Sequence, residues 1–262
     1  MIQINESKLD YIKELLHVDF NLTDEEKAEP KRYFEKLDKG DTLFLGIVEK
    51  YRKSDKIDGE EYTNKISAII SSYGITEQII CQSLDSLESG KGPIAEFNEI
   101  PDPLKLEFYV SILIALKYGN EFYVRPNYKA DHIGKPYAHA PGGRGDIDVY
   151  SPDIYWLIEV TLIRNRDQML NNETTSVIRH LNSGEEFKNR PKKYLSLVAP
   201  TIHQDTREFF EYSLIKHQRE GGKLYIKAYP LGEFVETTVR KDNLHNMELH
   251  TKEILTSFAS KL

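Results

Sequence analysis

The stretch Gly142-Gly143-Arg144-Gly145-Asp146-Ile147-Asp148-Val149-Tyr150, followed by Ile154-Tyr155-Trp156-Leu157-Ile158-Glu159-Val160-Thr161, decides how the rest of the chain is read. Both halves have strand character. The second is a near-continuous run of β-branched, aromatic and aliphatic residues, which suits a strand buried on both faces. Ser151-Pro152-Asp153 between them supplies turn chemistry, so the two halves form a hairpin. Side chains alternate along a strand, so Asp146 shares a face with Asp148, and Glu159 with Thr161. Antiparallel pairing then brings Asp146 and Glu159 together. Glu159 is the only charged residue between Ile154 and Leu162, and a carboxylate in such a run is costly to bury without a partner. Two converging carboxylates repel each other unless a cation lies between them, and a divalent metal with oxygen ligands is the natural candidate. A solvated hairpin with its acids facing water is the plainer alternative. The Gly-rich approach leaves room for another part of the chain to come close.

Working outward, Leu104 to Tyr118 is apolar around most of its circumference and reads as a buried helix. Glu107 within it is either a surface residue near the helix start, favoured by the dipole, or a carboxylate aimed at the Asp146–Glu159 site. Phe122 to Pro126 starts a strand. The loop Asn127 to Pro141 carries Lys129, His132, Lys135 and His139, which could grip a phosphate backbone or merely face solvent. After Thr161 a polar helix runs from about Arg164 to Leu181 and places Glu173 and His180 on one face, two turns apart. Strands at Lys192 to Pro200 and Leu224 to Tyr229 alternate with helices at Thr206 to His217 and Asn243 to Leu262. The sequence therefore predicts an α/β (α+β) fold, a mixed central sheet flanked by helices.

The N-terminal part is read as helical. Thr23-Asp24-Glu25-Glu26 is a capping box. Gly74 separates a helix over Glu61 to Tyr73 from one capped by Thr76. That pair could be a helix-turn-helix, but its second helix exposes Glu77, Gln78, Gln82, Asp85 and Glu88, too acidic for phosphate contact, so it reads as a packing or linker unit. The Gly- and Pro-containing segment from Gly90 to Pro103 sets an expected boundary between residues 1–100, a helical linker or assembly subdomain, and residues 101–262.

The length of 262 residues allows one large domain or two small ones. No apolar run approaches the roughly 20 residues a membrane span needs. The start lacks the pattern of a secretory signal, and the single Cys81 cannot form an internal disulfide, so a cytoplasmic protein is expected. A net charge of −7 argues against strong autonomous binding to nucleic acid; tight binding would need a local basic patch or a second protein.

The helix with Glu107, then Asp146 and Glu159 separated by twelve residues on a hairpin, then a helix and a strand, resembles the PD-(D/E)xK nuclease superfamily. Gly142-Gly143-Arg144-Gly145-Asp146-Ile147, Glu159-Val160-Thr161-Leu162, Gln168, Glu173 and Arg179-His180-Leu181 are similar to the AlwI-type restriction endonucleases, over roughly residues 100–200. The resemblance implies Asp146 and Glu159 as ligands of Mg2+, with Mn2+ able to take its place, helped by the Val160 carbonyl. It implies Glu107, Glu173 and His180 as supporting catalytic residues. It implies hydrolysis of DNA to 5′-phosphate and 3′-hydroxyl ends. Thr161 stands where many superfamily members have a catalytic Lys, which leaves His180 or Glu173 to position the attacking water. Type IIS enzymes of this kind carry a large recognition region, and only about 100 residues precede the nuclease-like part here. The chain therefore resembles a cleavage domain or small subunit that acts on double-stranded DNA with a recognition subunit or a second nuclease domain. The alternative is a catalytically weak nuclease-fold module that binds DNA or a partner protein.

Overall fold

The computed structural model describes residues 65–89, 92–131, 133–140, 143–183, 190–219 and 223–260. The chain divides into two units, Met1–Asp58 and Gly59–Leu262, and every described residue belongs to the second. The helices expected in residues 1–39, the capping box at Thr23 and the loop at Ser54 to Gly59 lie outside the described residues.

Helix α1 (residues 65–72) buries Ile66 and Ile69 and ends at Gly74. The Thr76 hydroxyl accepts the Ile79 N–H and caps α2 (Glu77–Asp85). Ile80 and Leu84 of α2 pack on α3 (Asp102–Tyr118), and Glu77 pairs with Lys117 of α3 at 2.7 Å. The second helix of the pair thus packs on α3 through its apolar face. The boundary expected near residue 100 does not coincide with a change in packing. Ile66, Ile80, Leu84, Phe97 and Ile100 share one core with Leu104, Leu106 and Phe108. The Gly- and Pro-containing segment that suggested a linker bends around Ile94 and Phe97, both buried.

A five-stranded sheet follows, in the order β1 (Tyr123–Pro126), β4 (Ile147–Tyr150), β5 (Ile154–Val160), β6 (Lys192–Ala199) and β7 (Leu224–Pro230). β1, β4 and β5 are antiparallel neighbours, and β5, β6 and β7 are parallel. Parallel pairs need crossovers, supplied by a helical run ending in α4 (Thr174–Ser183) and by α5 (Gln204–Arg219). The loop between β1 and β4 makes its own small ladder, β2 (Lys129–Ala130) with β3 (Pro136–Ala138). Two helices close the chain, α6 (Leu231–Val239) and α7 (Asn243–Ala259). This is the mixed, helix-flanked sheet the sequence predicts. Among the described residues no helix is long and apolar enough to cross a membrane.

The apolar run of β5 is explained by burial on both sides. Trp156 and Ile158 face the core that holds Phe234 and Met247 of α6 and α7. Tyr155 and Leu157 face Val177 and Leu181 of α4 and Phe210 and Leu214 of α5. Glu159 is the next residue on this second face, so a carboxylate is delivered to the edge of an apolar layer.

Candidate active site

The β4–β5 register pairs Asp148 with Leu157 and Ile147 with Ile158, and one further step sets Asp146 opposite Glu159. The Val160 N–H donates to Asp146 Oδ2 at 2.8 Å. Glu159 lies within hydrogen-bonding reach of the Asp146 side chain and backbone amide. The chain entering β4 runs against the same carboxylate. A Cβ at Gly145 would stand 2.4 Å from Leu157 Cδ1 and 2.6 Å from Glu159 Oε1. Only glycine fits there without displacing one of them.

Three further elements converge on this point. Glu107 of α3 is buried; its Oε1 pairs with His139 Nδ1, and its Oε2 is buried without a hydrogen-bond partner among the described residues. The helical run after β5 is not the regular helix expected from about Arg164 to Leu181. After one turn (Arg166–Gln168) it widens into a π-helical segment, Met169–Glu173, before α4. Such segments insert an extra residue into a turn and are frequent at functional sites. Glu173 ends this segment and bonds the Thr161 side chain. His180 of α4 places Nδ1 2.9 Å from Glu159 Oε1.

The electrostatics follow from this crowding. Asp146 is pushed well above the usual carboxylate range, first by burial and then by the charges of Glu159, Glu107 and Glu173. Burial, then Glu173, does the same to Glu159. Burial also raises Glu173 and Glu107, the latter opposed by His139. Burial lowers His180, with Arg179 adding to the effect, so its neutral form is favoured. The structure therefore brings Asp146, Glu159, Glu173 and His180 together, with Glu107 near enough to act on Asp146.

Among the described residues no group of three His, Cys, Asp or Glu side chains is arranged ready to hold a metal ion. Asp146 Oδ2 is turned to the Val160 N–H, and Glu159 Oε1 to His180. The donor chemistry nonetheless fits a hard divalent cation. Asp146 feels the charges of three other carboxylates, Glu159, Glu107 and Glu173; Asp146 and Glu159 are strongly disfavoured as anions, and one buried Glu107 oxygen lacks a partner among the described residues. Asp146 and Glu159 are the residues that could hold such an ion. Val160 contributes its N–H to Asp146 and is the last residue of β5.

Several residues that shape the site escape a reading of the sequence. Asp148 accepts from Arg125 Nη2, Asn127 Nδ2 and the Tyr155 hydroxyl, each at 2.8 Å. Its charge is thereby matched by Arg125. Asn127 also donates through Nδ2 to the Gly145 carbonyl at 2.9 Å and through its backbone N–H to the Asp146 carbonyl at 2.8 Å. This network pins the backbone that presents Asp146. Arg125 and Asp148 are cross-strand partners, a signal visible only once β1 is known to pair with β4. His139 was legible as one of the loop's basic residues, but its turn toward Glu107 was not; His132 lies outside the described residues.

A family model described as AlwI restriction endonuclease matches residues 45–237. Among solved structures, the small subunit of the heterodimeric restriction endonuclease R.BspD6I is similar, with 21% identity, a TM-score of 0.47, and coverage of 68% of this chain and 97% of that one. No curated protein matches the chain.

Proposed function

This chain belongs to the AlwI restriction endonuclease family, and from that premise we propose that it is a Mg2+-dependent DNA endonuclease of the restriction or nicking kind, acting as a cleavage domain or subunit. The observation that carries the reading is the facing pair Asp146, half-buried, and Glu159, buried, both held high as acids, with Glu173 and His180 against them. Such a pair is a poor structural choice and a good cation site. Mg2+ held by Asp146, Glu159 and the Val160 carbonyl, or Mn2+ in its place, would lower the pKa of a water and neutralise charge on the scissile phosphate.

The chain's own groups supply the rest. An ionised Glu159 can only accept, so neutral His180 donates Nδ1–H to it, which makes Nε2 the basic nitrogen of the ring and the atom that takes the water's proton. Glu173, tied to Thr161 and charged against His180, stabilises the imidazolium that forms. This division of labour needs no Lys at position 161. Attack by water on phosphorus with cleavage of the P–O3′ bond, the departing 3′-oxygen taking a proton from solvent, leaves 5′-phosphate and 3′-hydroxyl ends. One such site cuts one strand, and the net charge of −7 weakens long-range attraction to DNA, so a recognition subunit or a second nuclease domain is part of the proposal.

Supercoiled plasmid with and without Mg2+ tests the reading. Nicking that needs Mg2+ and stops with EDTA supports it. Thr161 favours the second reading, a nuclease-fold module of weak activity, and a gel shift without cleavage at any Mg2+ or Mn2+ concentration would select that one.

A further inference from the structure

A cavity of about 340 Å3 opens between α1, the end of β1 and the β2–β3 ladder. Its wall carries Lys65, Lys129 and Arg144, all exposed, and the ring of Tyr137, which is 65% exposed. Among the described lining residues one carboxylate stands against these cations, the exposed Asp131, whose Oδ1 accepts the N–H groups of Ile133 and Lys135 at 3.0 and 2.9 Å. In a chain of net charge −7 this is a concave, locally basic surface with an aromatic face. It is also a built one. The turn of the ladder is wedged against α1, where a Cβ at Gly134 would meet Ile69 Cδ1 at 2.5 Å. The wall is continuous with the catalytic loop. Arg144 precedes Asp146 by two residues, and Asn127, another lining residue, holds the Asp146 carbonyl through its backbone N–H.

We propose that this cleft binds the sugar-phosphate backbone of the DNA strand leading into the Asp146–Glu159 site, taking about one nucleotide. Lys65, Lys129 and Arg144 meet the phosphate oxygens, and Tyr137 lies against the deoxyribose or its base. Cations that follow a backbone beside an exposed aromatic ring are the usual composition of such contacts. The volume lies within the roughly 300–1,000 Å3 of small-ligand sites. The choice of DNA as ligand rests on the endonuclease reading; the cleft itself does not.

The test is the anisotropy of a fluorescent 30-base-pair duplex in EDTA, which forbids metal-dependent cleavage, titrated with the full chain between 20 and 200 mM salt. The pair Lys129→Ala/Arg144→Ala should lower the affinity and flatten the salt dependence by about 1.8, two phosphate contacts at about 0.9 each. Tyr137→Ala should weaken binding about fivefold or more at an unchanged slope, as loss of stacking does. Lys216→Ala/Lys252→Ala removes the same charge from exposed positions of α5 and α7 and should leave the slope alone. An unchanged slope in the cleft pair, an equal change in the control pair, or no binding by the unaltered chain at 20 mM salt overturns the proposal. Plasmid nicking by the same preparations separates the two readings. Nicking with unaffected binding in the cleft pair removes the cleft alone; cleft-dependent binding without nicking removes the endonuclease reading alone.

Discussion

Replacing Gly145 with Ala adds one methyl group, leaves every proposed ligand in the sequence, and should still disable the site. The new Cβ would lie 2.4 Å from Leu157 Cδ1 and 2.6 Å from Glu159 Oε1, both far inside van der Waals contact. Leu157 is fully buried among Tyr155, Val177 and Leu195 and has nowhere to go. Glu159 can swing away only by giving up His180, now at 2.9 Å. Overpacking of this kind costs about 1–3 kcal/mol. In a unit of roughly two hundred residues each kcal/mol moves Tm by about 2–4 °C, so a fall of about 2–12 °C is expected. A carboxylate displaced by about 1 Å should slow nicking about 100-fold. Thermal melts and single-turnover nicking measure the two effects. Gly232→Ala is the control, because its Cβ meets nothing within 4 Å among the described residues in α6 and should be neutral or stabilise by about 0.5–1 kcal/mol. Wild-type Tm and wild-type nicking in Gly145→Ala would refute the argument that the loop's close approach sets the Glu159 position. A lowered Tm with unchanged nicking would refute only its catalytic half.

Asp146→Ala and Glu159→Ala should each abolish nicking with an unchanged far-UV spectrum, and wild-type turnover by either at saturating Mg2+ would remove that residue from the site. His180→Ala should slow single-turnover nicking by about 10²–10⁴-fold, less than loss of Glu159; no effect would make it a bystander of α4. The pH dependence of metal-free stability has a definite sign. Asp146 and Glu159 hold protons more tightly folded than unfolded, so their contribution is complete below the ordinary values of 3.8 and 4.5 and is lost as pH rises through the raised folded values. The Tm without metal should therefore decline over that range, and Asp146→Asn should flatten the decline; an identical slope in the variant would contradict it. The isolated chain should nick plasmid with little sequence preference, and site-specific linearisation by the monomer at nanomolar concentration would show that recognition and both cuts reside in it.

Much of this architecture was legible because burial writes itself into composition. The run from Ile154 to Ile158 suits a strand covered on both faces, as it is, and Glu159 stands out as its one interruption. Thr76 announced its helix by cap chemistry, and its side chain makes that cap. What stayed hidden depends on pairing between distant segments. Arg125 and Asp148 neutralise each other only because β1 lies beside β4, and Asn127 holds Gly145 only because of that pairing. The π-helical Met169–Glu173 has no period of its own to read. Helix α6 was missed because Gly232 and the β-branched Thr237-Thr238-Val239 disfavour a helix locally; burial of Phe234, Thr237 and Thr238 against the sheet outweighs that preference. The Gly- and Pro-containing stretch before Pro103 looked like a linker because turn residues mark bends inside a core as well as gaps between domains.

The central claim is that the paired carboxylates form one divalent-cation site, and Mn2+ titration followed by electron paramagnetic resonance tests it most directly. The unaltered chain should bind Mn2+ at a site that Mg2+ displaces, and both Asp146→Asn and Glu159→Gln, which keep shape and remove charge, should lose it. Mn2+ binding of equal stoichiometry and affinity in all three proteins would contradict the account.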